Sequence, residues 1–121
     1  MCTILIAEDN KTIRNNITLF LTAEGFDILP AQNGLEAYKL ALANKPDIIL
    51  SDIHMPVMDG LELSRRLQDN QDTKMIPLIL LTADSELMNN NRGNSCANEW
   101  ISKPFYLNEL LTSINKVRGI S

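Results

Sequence analysis

Short apolar runs alternate along this chain with stretches in which apolar side chains return every three or four positions. Thr3 to Ala7 (TILIA) is β-branched and of strand length, and it stops abruptly at Glu8-Asp9-Asn10. Asn10 is a good helix N-cap, and Ile13, Ile17, Phe20 and Leu21 then recur at helical spacing until Gly25 ends the helix. The unit repeats. Asp27 to Ala31 (DILPA) predicts a second strand, with Pro30 favouring an edge position, and Asn33-Gly34 leads into a helix over Leu35 to Ala43. Lys45-Pro46 ends that helix, and Asp47 to Ser51 predicts a third strand, nearly all apolar as expected when both faces of a sheet are covered.

The run IILSDIHMPVMDG, Ile48 to Gly60, brings Asp52 out at the carboxyl end of that strand. Pro56 restrains Met55 to extended conformations, and Asp59-Gly60 supplies turn chemistry, so Asp52 sits beneath a stiff loop. Leu61, Leu63 and Leu67 mark a helix to about Asp69, and Pro77 introduces PLILLT, a strand closing at Thr82. The rhythm then predicts a helix over 84–95, although Asn89, Asn90, Asn91, Gly93 and Asn94 are poor helix formers and only Leu87 and Met88 are apolar. Glu99 to Ser102 (EWIS) reads as a fifth strand broken by Lys103-Pro104, and Leu107, Leu110, Leu111, Ile114 and Val117 mark the last helix. Five strand–helix alternations with short loops predict an α/β fold, a doubly wound, five-stranded parallel sheet with helices on both faces.

Length and charge narrow the function. The 121 residues suit one domain over 1–121, and the net charge of -4 comes without any Lys/Arg cluster, which argues against direct nucleic-acid binding. No apolar run is long enough to span a membrane, and MCTILIAED turns acidic too early for a signal peptide, so a cytoplasmic protein is expected. Cys2 and Cys96 lie far apart without metal-ligand spacing and read as two reduced thiols.

In doubly wound sheets, ligands bind outside the carboxyl ends of the strands. Those ends carry Glu8-Asp9, Asp52, Thr82-Ala83 and Lys103. Three carboxylates so close repel one another, and a hard divalent cation with oxygen ligands, Mg²⁺ first among them, neutralises them. Mg²⁺ with few carboxylates suits phosphoryl transfer: Asp52 as nucleophile, with the Thr82 hydroxyl, the Ala83 backbone N–H and Lys103 holding the transferred oxygens. Each residue alone has a plainer role, as helix cap, turn residue or surface charge. Their coincidence at neighbouring strand ends favours a site.

Over essentially its whole length the chain resembles the receiver domain of two-component response regulators. Glu8-Asp9-Asn10 matches that family's acidic pair, Asp52 in DIHMPVMDG its phospho-acceptor loop, Thr82 in LLTA its switch hydroxyl, and Lys103 in KPF its lysine. The resemblance implies a flavodoxin-like strand order 2-1-3-4-5, phosphoryl transfer from a histidine kinase or histidine phosphotransfer protein, and Mg²⁺ dependence. It implies that Asp9 and Asp52 ligate the metal directly, Glu8 through water and His54 through its backbone carbonyl, and that Lys103-Pro104 is cis. It further implies a downstream protein bound by the face of the fourth helix, fifth strand and fifth helix, and a monomer or phosphorylation-dependent dimer.

Two positions depart from the family pattern. Trp100 stands where the family usually has a Tyr or Phe that turns inward on phosphorylation, and its larger ring predicts a restricted or absent rotamer switch beside a conserved role for the Thr82 shift. Cys96 stands where a left-handed Gly cap is frequent, which puts the order of the fourth helix in question. The expected function is a phosphorelay switch catalysing only its own phosphorylation and slow dephosphorylation, either standing alone or as the receiver segment of a hybrid kinase or larger regulator. An Asp-nucleophile phosphatase would need a substrate cap and a second acid near Asp52, where His54 stands instead. A phosphate-independent binding module would not need Glu8, Asp9, Asp52, Thr82 and Lys103 together.

Overall fold

The computed structural model describes residues 2–91 and 97–119. Strands β1 (Thr3–Ala7), β2 (Asp27–Ala31), β3 (Ile48–Asp52), β4 (Leu78–Thr82) and β5 (Glu99–Ser102) alternate with helices α1 (Lys11–Ala23), α2 (Gly34–Asn44), α3 (Gly60–Gln68), α4 (Ser85–Asn91) and α5 (Leu107–Val117). The strands form one sheet in the order β2-β1-β3-β4-β5, every pair parallel. The expected architecture and strand order are therefore observed, and β2 with its Pro30 is at an edge.

Helix starts follow the polar side chains that precede them. Asn10, Asn33 and Asp59 accept the backbone N–H three residues on, from Ile13, Glu36 and Glu62. Asp84 accepts from Leu87 at the start of α4 (2.9 Å), and Glu109 in α5 reaches back to the Tyr106 N–H (3.0 Å). At the other end of α1, Gly25 takes φ +98, the left-handed conformation that stops a helix.

Two strand boundaries differ from the sequence expectation, each for a local reason. The third strand runs one residue later, over Ile48–Asp52, because Asp47 turns its carboxylate onto the Thr3 N–H (2.7 Å), while Asp52 pairs with Leu81 in register. Asp52 is thus the last ladder residue rather than the first loop residue. Pro77 lies just before β4, lending its carbonyl to the Ile49 N–H. Helix α4 is described only to Asn91, and the expected extension to residue 95, with the cap at Cys96, lies outside the described residues.

The sheet separates two apolar layers. One gathers Ile4, Ile6, Ile48, Leu50, Ile79, Leu81 and Ile101 beneath α1 and α5, where Ile17, Leu21, Leu110 and Ile114 are buried. The other gathers Leu5, Ala7, Ile49, Leu78 and Leu80 beneath α2 and α3, with Leu87 and Trp100 partly buried against it. Alternate residues of each strand enter opposite layers, as the strand period of two demands. Among the described residues no helix is long and apolar enough to cross a membrane.

The loop between β3 and α3 is stiff, and one residue in it is strained. Exposed Val57 sits at φ +70, a region a β-branched residue seldom occupies. The Met58 carbonyl accepts the Gly34 N–H at the start of α2 (3.0 Å), an approach close enough that a Cβ on Gly34 would strike that carbonyl.

Candidate functional site

The strand ends place three carboxylates and one ammonium together. Glu8 directly follows β1 and is buried, Asp9 beside it is exposed, and Asp52 closes β3 at 7% exposure. One carboxylate oxygen from each of the three lies within 4.8 Å of the others. Lys103 enters from just past β5, its backbone N–H on the Thr82 carbonyl (2.8 Å) and its Nζ 3.0 Å from Asp52 Oδ2 and 3.3 Å from Glu8 Oε1. The remaining oxygens are also engaged: Asp52 Oδ1 accepts the Ile53 N–H (3.0 Å) and Glu8 Oε2 the Asn10 N–H (3.1 Å).

Burial dominates the electrostatics of Glu8. Desolvation, with the Asp52 charge adding to it against the Asn10 hydrogen bond, pushes its carboxyl from an ordinary 4.5 up to about 7. Burial works in the opposite direction on Lys103, but its bonds and charge interactions with Asp52 and Glu8 prevail and raise the ammonium above its ordinary 10.5. Burial thus favours the protonated form of Glu8, while the neighbouring carboxylates favour the charged form of Lys103. Three oxygen donors of this kind, one of them exposed, fit a hard divalent cation that retains several waters.

A raised carboxyl pKa means that the folded state binds its proton more tightly than the unfolded chain. Its contribution to stability is complete below about pH 4.5 and is lost as pH rises through about 7. In chelator, wild type should accordingly lose about 3 kcal/mol relative to Glu8→Gln between these limits. Denaturant titrations of both proteins at several pH values check this; a pH-independent difference would contradict it.

The other expected site residues are placed as follows. Thr82 is buried at the end of β4, and its Oγ1 accepts the Asp84 N–H (3.0 Å). Ala83 is exposed at the rim. His54 is exposed two residues past Asp52, outside the three-carboxylate group. Trp100 is half-buried on β5, in register with Leu80, on the α4 side of the sheet and three residues before Lys103. The Lys103-Pro104 bond is cis.

Sequence reading missed two residues that shape the site. Gly34 lets the loop between β3 and α3 dock on α2, and Arg14 of α1 donates from Nη1 to the Glu8 carbonyl (2.8 Å). A signal for the second was present: Arg14, like Lys11, is a cation in the first turn of a helix, the end where the helix dipole disfavours it. Beside the site, Ile13, Asn16, Ile17, Ala83, Lys103, Pro104, Phe105 and Leu107 line a largely apolar groove of about 520 Å³ between α1 and the start of α5.

Comparison with known proteins agrees with this geometry. A histidine kinase of Formosa agariphila is 42% identical over 116 residues, 95% of this chain and 8% of that protein. The phosphate regulon transcriptional regulatory protein PhoB of Pseudomonas aeruginosa is 39% identical over 116 residues, 95% of this chain and 51% of that one. The chain thus spans about half of the regulator and a small part of the kinase. Among solved structures, the response regulator protein TrrA of Thermotoga maritima, in complex with Mg²⁺-BeF, superposes with a TM-score of 0.87 at 32% identity, covering 97% of this chain and 99% of that one. The response regulator receiver domain model matches residues 4–115, and the chain belongs to the response regulator receiver domain family.

Proposed function

We propose that this receiver domain works as a phosphorelay switch whose phospho-acceptor is Asp52. The observation that carries the reading is the placement of one Asp52 oxygen 3.0 Å from the Lys103 ammonium, within a three-carboxylate group at the ends of β1 and β3. Asp52 attacks phosphorus, an acyl phosphate bond forms, and the bond to the donor's nitrogen or oxygen breaks with the leaving group taking up a proton. Lys103 meets the charge on the transferred oxygens, and the Thr82 hydroxyl, now accepting from Asp84, turns to them as the state changes. Family membership and the Mg²⁺-BeF complex of the Thermotoga protein support Mg²⁺ as the cation, held by Asp9 and Asp52 directly, by Glu8 through water and by the His54 backbone carbonyl. The metal when bound supplies charge neutralisation for the incoming phosphoryl group.

The phospho-donor is a histidine kinase or histidine phosphotransfer protein in the cytoplasm, and the domain contributes catalysis only to its own phosphorylation and slow dephosphorylation. The output is a population shift of the face formed by α4, β5 and α5, read by a downstream protein or a second copy that prefers one state. Trp100, already packed against the α4 side of the sheet, keeps its inward turn restricted, which leaves the Thr82 movement as the main signal. The match to a short part of a histidine kinase favours, as a second reading, the receiver segment of a hybrid kinase.

Intact mass after incubation with phosphoramidate and Mg²⁺ tests the acceptor. A single phosphoryl adduct is expected on wild type and none on Asp52→Asn or in chelator. An adduct on both proteins, or on neither, would overturn the assignment.

A further inference from the structure

The Glu8 peptide is held from every side. Its N–H donates to the Ala31 carbonyl of β2 (3.0 Å), its carboxylate accepts from Asn10 and Lys103, and its carbonyl accepts the Arg14 guanidinium (2.8 Å). That carbonyl belongs to the peptide plane joining Glu8 to Asp9, so whatever orients it also aims Asp9. The other three bonds arise from the sheet and from the site itself; Arg14 is the clamp contributed by a side chain outside both.

Helix energetics do not account for a cation here. Arg14 occupies the first turn of α1, where its charge opposes the macrodipole, and that turn contains no acidic residue to offset it. The side chain leans back toward the helix start, as helical side chains do, and spans six residues to reach Glu8. The planar guanidinium keeps its direction better than an ammonium on a flexible stem.

From this geometry we infer that Arg14 is a positioning residue for the divalent cation: by fixing the Glu8–Asp9 peptide it presets the spacing of the carboxylates that follow β1 against Asp52. The inference rests on the metal reading above. Coulomb interaction alone makes the opposite forecast, since removing a cation near a metal site should tighten metal binding. The sign of the effect separates positioning from charge.

The experiment is direct Mg²⁺ titration by calorimetry, with Mn²⁺ followed by paramagnetic resonance, on wild type, Arg14→Met, Arg14→Lys and Lys11→Met. Arg14→Met keeps the stem and loses the donor. Its Kd for Mg²⁺ should rise about tenfold, the usual size for losing a group that orients a ligand, with Arg14→Lys recovering part of this. Lys11→Met removes the same charge from the same turn and should bind as tightly as wild type or slightly more so. Arg14→Met matching wild type, or binding more tightly as Lys11→Met does, would overturn the inference. Thermal midpoints in chelator are measured alongside, and if Arg14→Met proves unfolded, the decision passes to Arg14→Lys, where unchanged affinity is the overturning result. Failure of wild type to bind either metal would refute the metal reading together with this one, whereas binding by wild type and Arg14→Met alike refutes this one alone.

Discussion

Gly60→Ala should cost about 3 kcal/mol and lower the thermal midpoint by roughly 12 °C, with phosphorylation of Asp52 falling with it. An added Cβ at Gly60 would run into the Asp52 carbonyl oxygen and lie 2.9 Å from the Ile53 Cα. Both are backbone atoms, and both belong to the segment that presents Asp52, so neither can yield without moving Asp52 from its register with Leu81. The Gly60 N–H bond to the Ile53 carbonyl (2.8 Å) would be lost in the same movement. Gly25→Ala is the control, because nothing lies within 4 Å of its Cβ position and only its φ of +98 is penalised. That variant should lose about 1 kcal/mol and be phosphorylated at the wild-type rate. Calorimetric melting with phosphoramidate kinetics measures both; equal losses for the two glycines would show that crowding at Gly60 is not the cause.

Lys103→Met should have the second-largest effect, a loss of stability that is larger without metal than with it. In chelator the Lys103 ammonium is the counter-cation that Asp52 and Glu8 share at 3.0 and 3.3 Å, and removing it leaves two carboxylates facing each other in a poorly hydrated place. Breaking a pair this buried costs about 2 kcal/mol near neutral pH, less for a lysine in part open to water than for a fully enclosed one. Protonation of Glu8 relieves the repulsion, so the deficit should shrink as pH falls below about 7, the direction in which the wild-type Glu8 contribution itself grows. A divalent cation replaces the missing charge, so Mg²⁺ should raise the midpoint of Lys103→Met by more than it raises that of wild type. Differential scanning fluorimetry across pH, with Mg²⁺ or chelator, follows all three effects; an equal Mg²⁺ increment in the two proteins would refute the shared-counter-cation account.

The frame of the fold was legible because periodicity reports burial. TILIA and the LILLT of PLILLT are strands in sequence and in structure, since a run of that length covered on both faces must be apolar. Glu8, Asp9, Asp52 and Lys103 were legible for the converse reason: charge at the end of such a run needs a purpose. What escaped depends on bonds to the main chain. The Arg14 and Gly34 contacts both end on main-chain carbonyls, so even where Arg14 stood out as a cation in a first turn, no residue type named its partner. Val57 was illegible because its left-handed backbone contradicts its own preference; the loop, pinned by Gly60 on one side and Gly34 on the other, imposes it. The one-residue shift of β3 turned on Asp47 choosing the Thr3 amide, a tertiary partner forty-four residues away in sequence.

The division of the interior by the sheet has a practical consequence for anyone redesigning this domain. Ile114 and Leu21 share neighbours under α1 and α5, while Leu63 and Ala41 lie in the layer on the opposite side. Substitutions drawn from opposite sides touch no common side chain, so their energies should sum, whereas those drawn from one side will interfere. Libraries can therefore be screened one layer at a time and the winners combined.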